Sequence, residues 1–127
     1  MDNLNKIRLK INRIIKSTIN VSYTEIPSLN ELPDRLENRV LYLIGESKYK
    51  WIIMNCPCGC NDRIDINLMK AYKPYWNLTL KDKRISLYPS LWIPKDRCGS
   101  HFWIINSKIV WAKKRRIFFN LFFNLFF

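Results

Sequence analysis

Residues 39–54 read Arg-Val-Leu-Tyr-Leu-Ile-Gly-Glu-Ser-Lys-Tyr-Lys-Trp-Ile-Ile-Met. Val40–Ile44 is apolar and built from β-favouring types, Gly45 with Glu46 and Ser47 breaks the run, and Tyr49–Met54 resumes it. Two such runs around a short polar segment containing glycine predict a β-hairpin that turns at Gly45–Lys48. The same pattern recurs downstream. Arg63–Leu68 sets Ile64, Ile66 and Leu68 at alternate positions, the period of a half-buried strand. Tyr75–Leu80 and Arg84–Tyr88 flank Lys81-Asp82-Lys83, and Phe102–Ile105 and Lys108–Trp111 flank Asn106-Ser107, a two-residue turn that starts with Asn. Short strands joined by tight turns predict a mostly β chain, a small antiparallel β domain over residues 39–112.

Upstream, Leu4, Ile7, Ile11, Ile14 and Ile15 recur at helical spacing over residues 4–16, so a short amphipathic helix docked on the domain is expected within a basic segment, residues 1–20. Residues 21–38 hold Pro27 and Pro33 among polar residues and read as an irregular connector. At the other end, Ile117–Phe127 repeats Phe-Phe-Asn-Leu behind four basic residues. That run is too short to cross a bilayer as a helix, so no transmembrane segment is expected, and residues 113–127 read as a poorly ordered tail.

The net charge of +12 invites a nucleic-acid reading, but its distribution argues against a designed binding face. Residues 1–20 carry +4, Lys113–Arg116 another +4, and the whole of residues 21–112 only the remaining +4. Charge at chain ends is easily solvated and supports weak, salt-sensitive attraction to polyanions. The spacing of the aromatics Tyr72, Tyr75, Trp76, Tyr88, Trp92, Phe102, Trp103 and Trp111 favours core packing over a base-stacking platform. A nucleic-acid-binding zinc module and a purely structural interaction module stand as the rival classes.

Cys56-Pro57-Cys58-Gly59-Cys60 carries the chemistry. In an extended chain alternate residues point to one side, and Pro57 and Gly59 allow the bend that draws the thiols together. Three cysteines so close make poor disulfide partners for one another, and residues 1–16 lack the continuous apolar stretch of a secretory signal. Thiolates held by a metal in a reducing, cytoplasmic compartment are the expectation. Cys98-Gly99-Ser100-His101 supplies the second half of a zinc knuckle, and His101 is the chain's single histidine. Five candidates, Cys56, Cys58, Cys60, Cys98 and His101, thus compete for four tetrahedral positions. Two early cysteines with Cys98 and His101 is the favoured set; three early cysteines with Cys98 would free His101 for another task. Arg97 would offset the thiolate charge, and Trp92 and Phe102 would shield the second half.

A catalyst is less evident. No His-Glu-x-x-His helix is present, and Asp62, Asp65 and Asp96 fit turns beside metal knuckles. Ser90 and Ser100 are the weak candidates for a nucleophile, but a histidine bound to zinc cannot also serve as base. Hydrogen-bonding roles are therefore expected of both, with Ser100 aimed inward at a sulfur.

From Arg39 to Trp111 the chain resembles the bacterial BubE family. The matching pieces are Arg39-Val40-Leu41-Tyr42, Cys56-Pro57-Cys58-Gly59-Cys60, Pro74-Tyr75-Trp76, Ser86-Leu87-Tyr88-Pro89-Ser90-Leu91-Trp92, Cys98-Gly99-Ser100-His101-Phe102-Trp103-Ile104 and Val110-Trp111. Three positions depart from the family pattern: Asn61 stands where Gly is usual, Tyr88 where Ser is common, and Ala112 where a further Cys often stands. The resemblance implies a zinc-binding β domain that accompanies ubiquitin-like conjugation enzymes, with a ubiquitin-like protein or its conjugating enzymes as partners and a peptidase activity on the conjugated protein.

Overall fold

The computed structural model describes residues 3–8 and 19–112. Residues 3–8 are helical; the rest of the predicted N-terminal helix and the tail, residues 113–127, lie outside the described residues. Nine strands follow: β1 (Ile19–Asn20), β2 (Ser22–Ile26), β3 (Val40–Ile44), β4 (Trp51–Asn55), β5 (Arg63–Asn67), β6 (Asn77–Lys81), β7 (Arg84–Trp92), β8 (His101–Ile105) and β9 (Lys108–Trp111). They form a five-stranded antiparallel sheet ordered β1-β9-β8-β7-β6 and a four-stranded sheet ordered β2-β3-β4-β5.

The turns follow from their residues. Asp82 and Lys83 (φ 52° and 62°) and Asn106 and Ser107 (φ 51° and 60°) place both central positions in the left-handed region. That is the turn whose twist matches two antiparallel strands. Gly45 is required by space as well as angle: a Cβ there would lie 2.0 Å from the Lys48 carbonyl oxygen.

Residues 21–38 are not wholly irregular. They contain β2, which pairs in parallel with β3 from Ser22↔Val40 to Ile26↔Ile44. Parallel neighbours need a crossover of about a dozen residues, and residues 27–39, with a 3-10 turn at Leu29–Glu31, supply it. β2 lies at a sheet edge and is mostly exposed, so its sequence, Ser-Tyr-Thr-Glu-Ile, lacks a strong apolar signal.

The crossover also explains why Val40–Ile44 is continuously apolar. Leu41 and Leu43 face the main core, whereas Tyr42 and Ile44 join Ile53 in a second cluster covered by Leu32 and Leu36. A strand covered on both faces needs apolar residues at every position. The main core lies between the sheets, with Ile52, Met54 and Ile66 from one and Ile85, Leu87, Phe102, Ile104 and Ile109 from the other, all at most 1% exposed. Each large aliphatic buried this way contributes about 1.5–3 kcal/mol.

β7 runs farther than Tyr88, the end the sequence predicted, and its register shifts between Leu87 and Leu91. β6 pairs with it only from Arg84 to Tyr88. Beyond that point β7 has β8 alone as a partner, which accommodates Pro89, a residue with no N–H to give. Leu87 and Leu91 stay buried, while Tyr88 and Trp92 are exposed and Ser90 is half-buried.

Candidate functional site: a thiol cluster and a serine–histidine pair

The loop after β4 folds Cys56, Cys58 and Cys60 back on themselves. Gly59 (φ 90°) and Asn61 (φ 65°) both adopt left-handed backbone. Asn tolerates that region better than other non-glycine residues. The Gly59 amide donates to the Cys56 carbonyl at 3.3 Å, and the Cys56 amide to the Asp62 carbonyl at 2.8 Å. The second loop leaves β7 at Ile93 and tightens where the Arg97 and Gly99 amides both donate to the Pro94 carbonyl at 3.0 Å, with Gly99 at φ 66°. Arg97 joins the loops: its guanidinium pairs with Asp62 at 3.1 Å and donates to the Arg63 carbonyl at 3.4 Å. The arginine expected to balance thiolates therefore balances a carboxylate.

The two loops bring four thiols together. The sulfurs of Cys56, Cys58, Cys60 and Cys98 all lie within 4.8 Å of one another, a grouping able to hold a metal ion. Cys56 Sγ is 3.4 Å from Cys58 Sγ and 3.7 Å from Cys98 Sγ. Sulfurs about 2.3 Å from a tetrahedral ion lie about 3.8 Å apart along each edge, so the donor set fits the coordination. All four cysteines are free of disulfides. Burial pushes the Cys56 thiol up to about 12, whereas hydrogen bonding from Ser100 brings Cys58 down to about 6. Ser100 Oγ lies 3.2 Å from Cys98 Sγ and 3.8 Å from Cys56 Sγ, turned inward to the sulfurs as expected.

His101 stands outside this group. It opens β8 and faces β7, where its Nε2 lies 2.8 Å from Ser90 Oγ. The structure therefore brings together four of the five sequence-predicted ligands and joins the fifth to one of the two candidate serines. Burial holds the His101 imidazole below its ordinary value, which favours the neutral ring, the form able to accept a proton. A half-buried hydroxyl within hydrogen-bond reach of such a ring has the geometry of a nucleophile and its base.

Trp92 packs on His101. Its indole stacks on the His101 ring with centroids 4.3 Å apart and planes 5° from parallel. Phe102 is fully buried and meets Trp111 edge to face at 5.7 Å. The aromatics divide accordingly: Phe102, Trp76 and Trp111 belong to the core, whereas Tyr72, Tyr88 and Trp92 are 65%, 45% and 65% exposed. Trp76 also donates its indole N–H to the Ser90 carbonyl at 3.3 Å and forms one wall of an open cavity of about 660 Å³ with Trp51, Met69, Tyr72 and Pro74. Asn67 holds that wall by donating to the carbonyls of Met69, Tyr72 and Pro74. Among the described residues no helix is long and apolar enough to cross a membrane.

Residues 28–112, about two thirds of the chain, match the family model described as "Bacterial ubiquitination-like system serine protease (BubE)". No curated protein and no solved structure matches the chain.

Proposed function

The chain belongs to the BubE family, and on that premise we propose that it is a cytoplasmic serine peptidase that cleaves after a ubiquitin-like protein. In this reading Ser90 is the nucleophile, His101 the general base, and zinc a structural ion on Cys56, Cys58, Cys60 and Cys98. The observation that carries the proposal is the 2.8 Å contact between Ser90 Oγ and His101 Nε2. It supports a free base, because four thiols would suffice for the ion and leave the ring unligated.

With its proton on Nδ1, the neutral imidazole accepts the Ser90 hydroxyl proton at Nε2 as Oγ forms a bond to the substrate carbonyl carbon. The tetrahedral adduct collapses when the C–N bond breaks and His101 returns the proton to the departing amine, leaving an acyl ester on Ser90. A water then gives its proton to His101 and attacks the ester carbonyl, which releases the carboxylate product and restores the hydroxyl. Cys56, Cys58, Cys60 and Cys98 would hold a zinc ion, and with four thiolates on it such an ion would leave no place for a catalytic water. Bound there, it would tie the Cys56–Cys60 loop to Cys98, three residues before His101. Ser100 belongs to that arrangement, since its hydroxyl orients sulfurs rather than substrate.

The test is cleavage of a linear ubiquitin-like fusion by purified variants. Ser90→Ala and His101→Ala are expected to lower turnover by a factor on the order of 1,000 or more while keeping the melting temperature and zinc content. Ser100→Ala is expected to weaken zinc binding more than it slows turnover. Full activity in Ser90→Ala, or complete loss in Ser100→Ala with zinc retained, would reverse the assignment.

A further inference from the structure

Serine hydrolases that use a histidine base commonly add a carboxylate that fixes the ring. Among the described residues the ion pairs are Arg63–Asp65 and Arg97–Asp62, and His101 takes part in neither. What does meet the ring is Trp92. The register of the β7–β8 ladder sets Trp92 directly opposite His101. The Ile93 amide donates to the Ser100 carbonyl, and the Ala112 amide to the His101 carbonyl on the other side. Because main-chain groups alternate in direction along a strand, Trp92 and His101 form a non-hydrogen-bonded pair, the kind in which opposed side chains come closest. The rings lie parallel at 4.3 Å. Trp92 is nevertheless 65% exposed, so core packing does not account for an indole here.

We propose that Trp92 is the positioning residue of the Ser90–His101 pair, its stacked indole doing the work a carboxylate does elsewhere. This rests on the peptidase reading above. Stacking fixes the plane of the imidazole and so keeps Nε2 on Ser90 Oγ. The indole face also lies against the ring that gains positive charge when the Ser90 proton arrives, and an aromatic face attracts a cation held over it. That attraction exists only once the proton has moved, so it favours the transition state over the resting pair.

Steady-state cleavage of a linear ubiquitin-like fusion by the full chain tests this, with melting temperature as a control for folding. Trp92→Leu is expected to lower kcat about 5- to 30-fold with KM changed less than about twofold, whereas Trp92→Phe restores most of kcat because it keeps an aromatic face. A raised KM with unchanged kcat would make Trp92 a substrate platform and overturn the proposal, as would equal loss in both variants. A second measurement does not depend on turnover. His101 is the chain's single histidine, so its ring protons give one unambiguous set of NMR signals. Trp92→Leu is expected to remove the indole's ring-current shift from them, and unchanged signals would refute the stacking. If Ser90→Ala kept its activity the peptidase reading would fail while this spectrum still decided the contact.

Discussion

Cys98→Ser is a more revealing perturbation than loss of any early cysteine. Cys56, Cys58 and Cys60 come from one loop, so an ion held by them alone constrains only its neighbourhood. Cys98 lies 42 residues from Cys56, and a bond from both to one ion would close a loop of that length in the unfolded chain. Treated as a cross-link, a loop of that size contributes about 4 kcal/mol at 25 °C, a large part of the roughly 5–15 kcal/mol that stabilises a domain. Cys98→Ser is therefore expected to lose about 4 kcal/mol even if the other three thiols retain zinc. Cys60→Ser keeps Cys56, Cys58 and Cys98 on the ion, so the long link survives and the loss is smaller. Urea unfolding of the zinc-loaded proteins measures this. With a slope of about 1–3 kcal/mol per molar, the midpoint of Cys98→Ser moves down by more than about 1 M, and a chelator lowers the wild type toward it. Equal midpoints for Cys98→Ser and Cys60→Ser, or a wild type indifferent to chelation, would refute the cross-link.

Two further outcomes follow from single residues. Burial lowers the His101 value and a histidine base acts when uncharged, so if His101 is the base of the proposed reaction, kcat/KM should rise with pH along a limb that inflects below about 6.5, the ordinary histidine value. The same shift makes the unfolded chain bind the proton more readily, so stability should fall as pH drops from about 6.5 toward the folded value; an inflection above that point in the rate profile would contradict the buried base. At Asn61 (φ 65°), Asn61→Gly should be neutral or stabilising, and Asn61→Val should lose about 1–2 kcal/mol, read as a shift in thermal midpoint, with no loss on Val substitution counting against the left-handed turn.

Much of the fold was legible where local signals agreed. The alternation in Arg63–Asn67, the Asn106-Ser107 turn and the break at Gly45 each place a strand or turn that the structure contains. β2 escaped because an edge strand with one covered face carries few apolar residues, and its partner lies across a crossover rather than a turn. The cysteine grouping was readable because three cysteines sit in five residues. The pairing of Ser90 with His101 was not, since it depends on the register of β7 against β8. That register is set by the irregularity between Leu87 and Leu91 and by the long loop at Pro94–Gly99, neither of which leaves a periodic trace. The exposed aromatics were misjudged for the same reason: Tyr88 and Trp92 differ from buried Leu87 and Leu91 only in the face that the shifted register gives them.

The pairing of β1 with β9 has a consequence for synthesis. Ile19 lies opposite Ile109, and the Val21 amide donates to the Ser107 carbonyl. Among the described strands, β1 thus leaves the ribosome long before its partner β9. At about 5–20 residues per second, the 90 positions from 19 to 109 take on the order of 5–20 seconds to translate. Over that interval β1 has no β9 to pair with, and that edge of the larger sheet closes only once Lys108–Trp111 has been made.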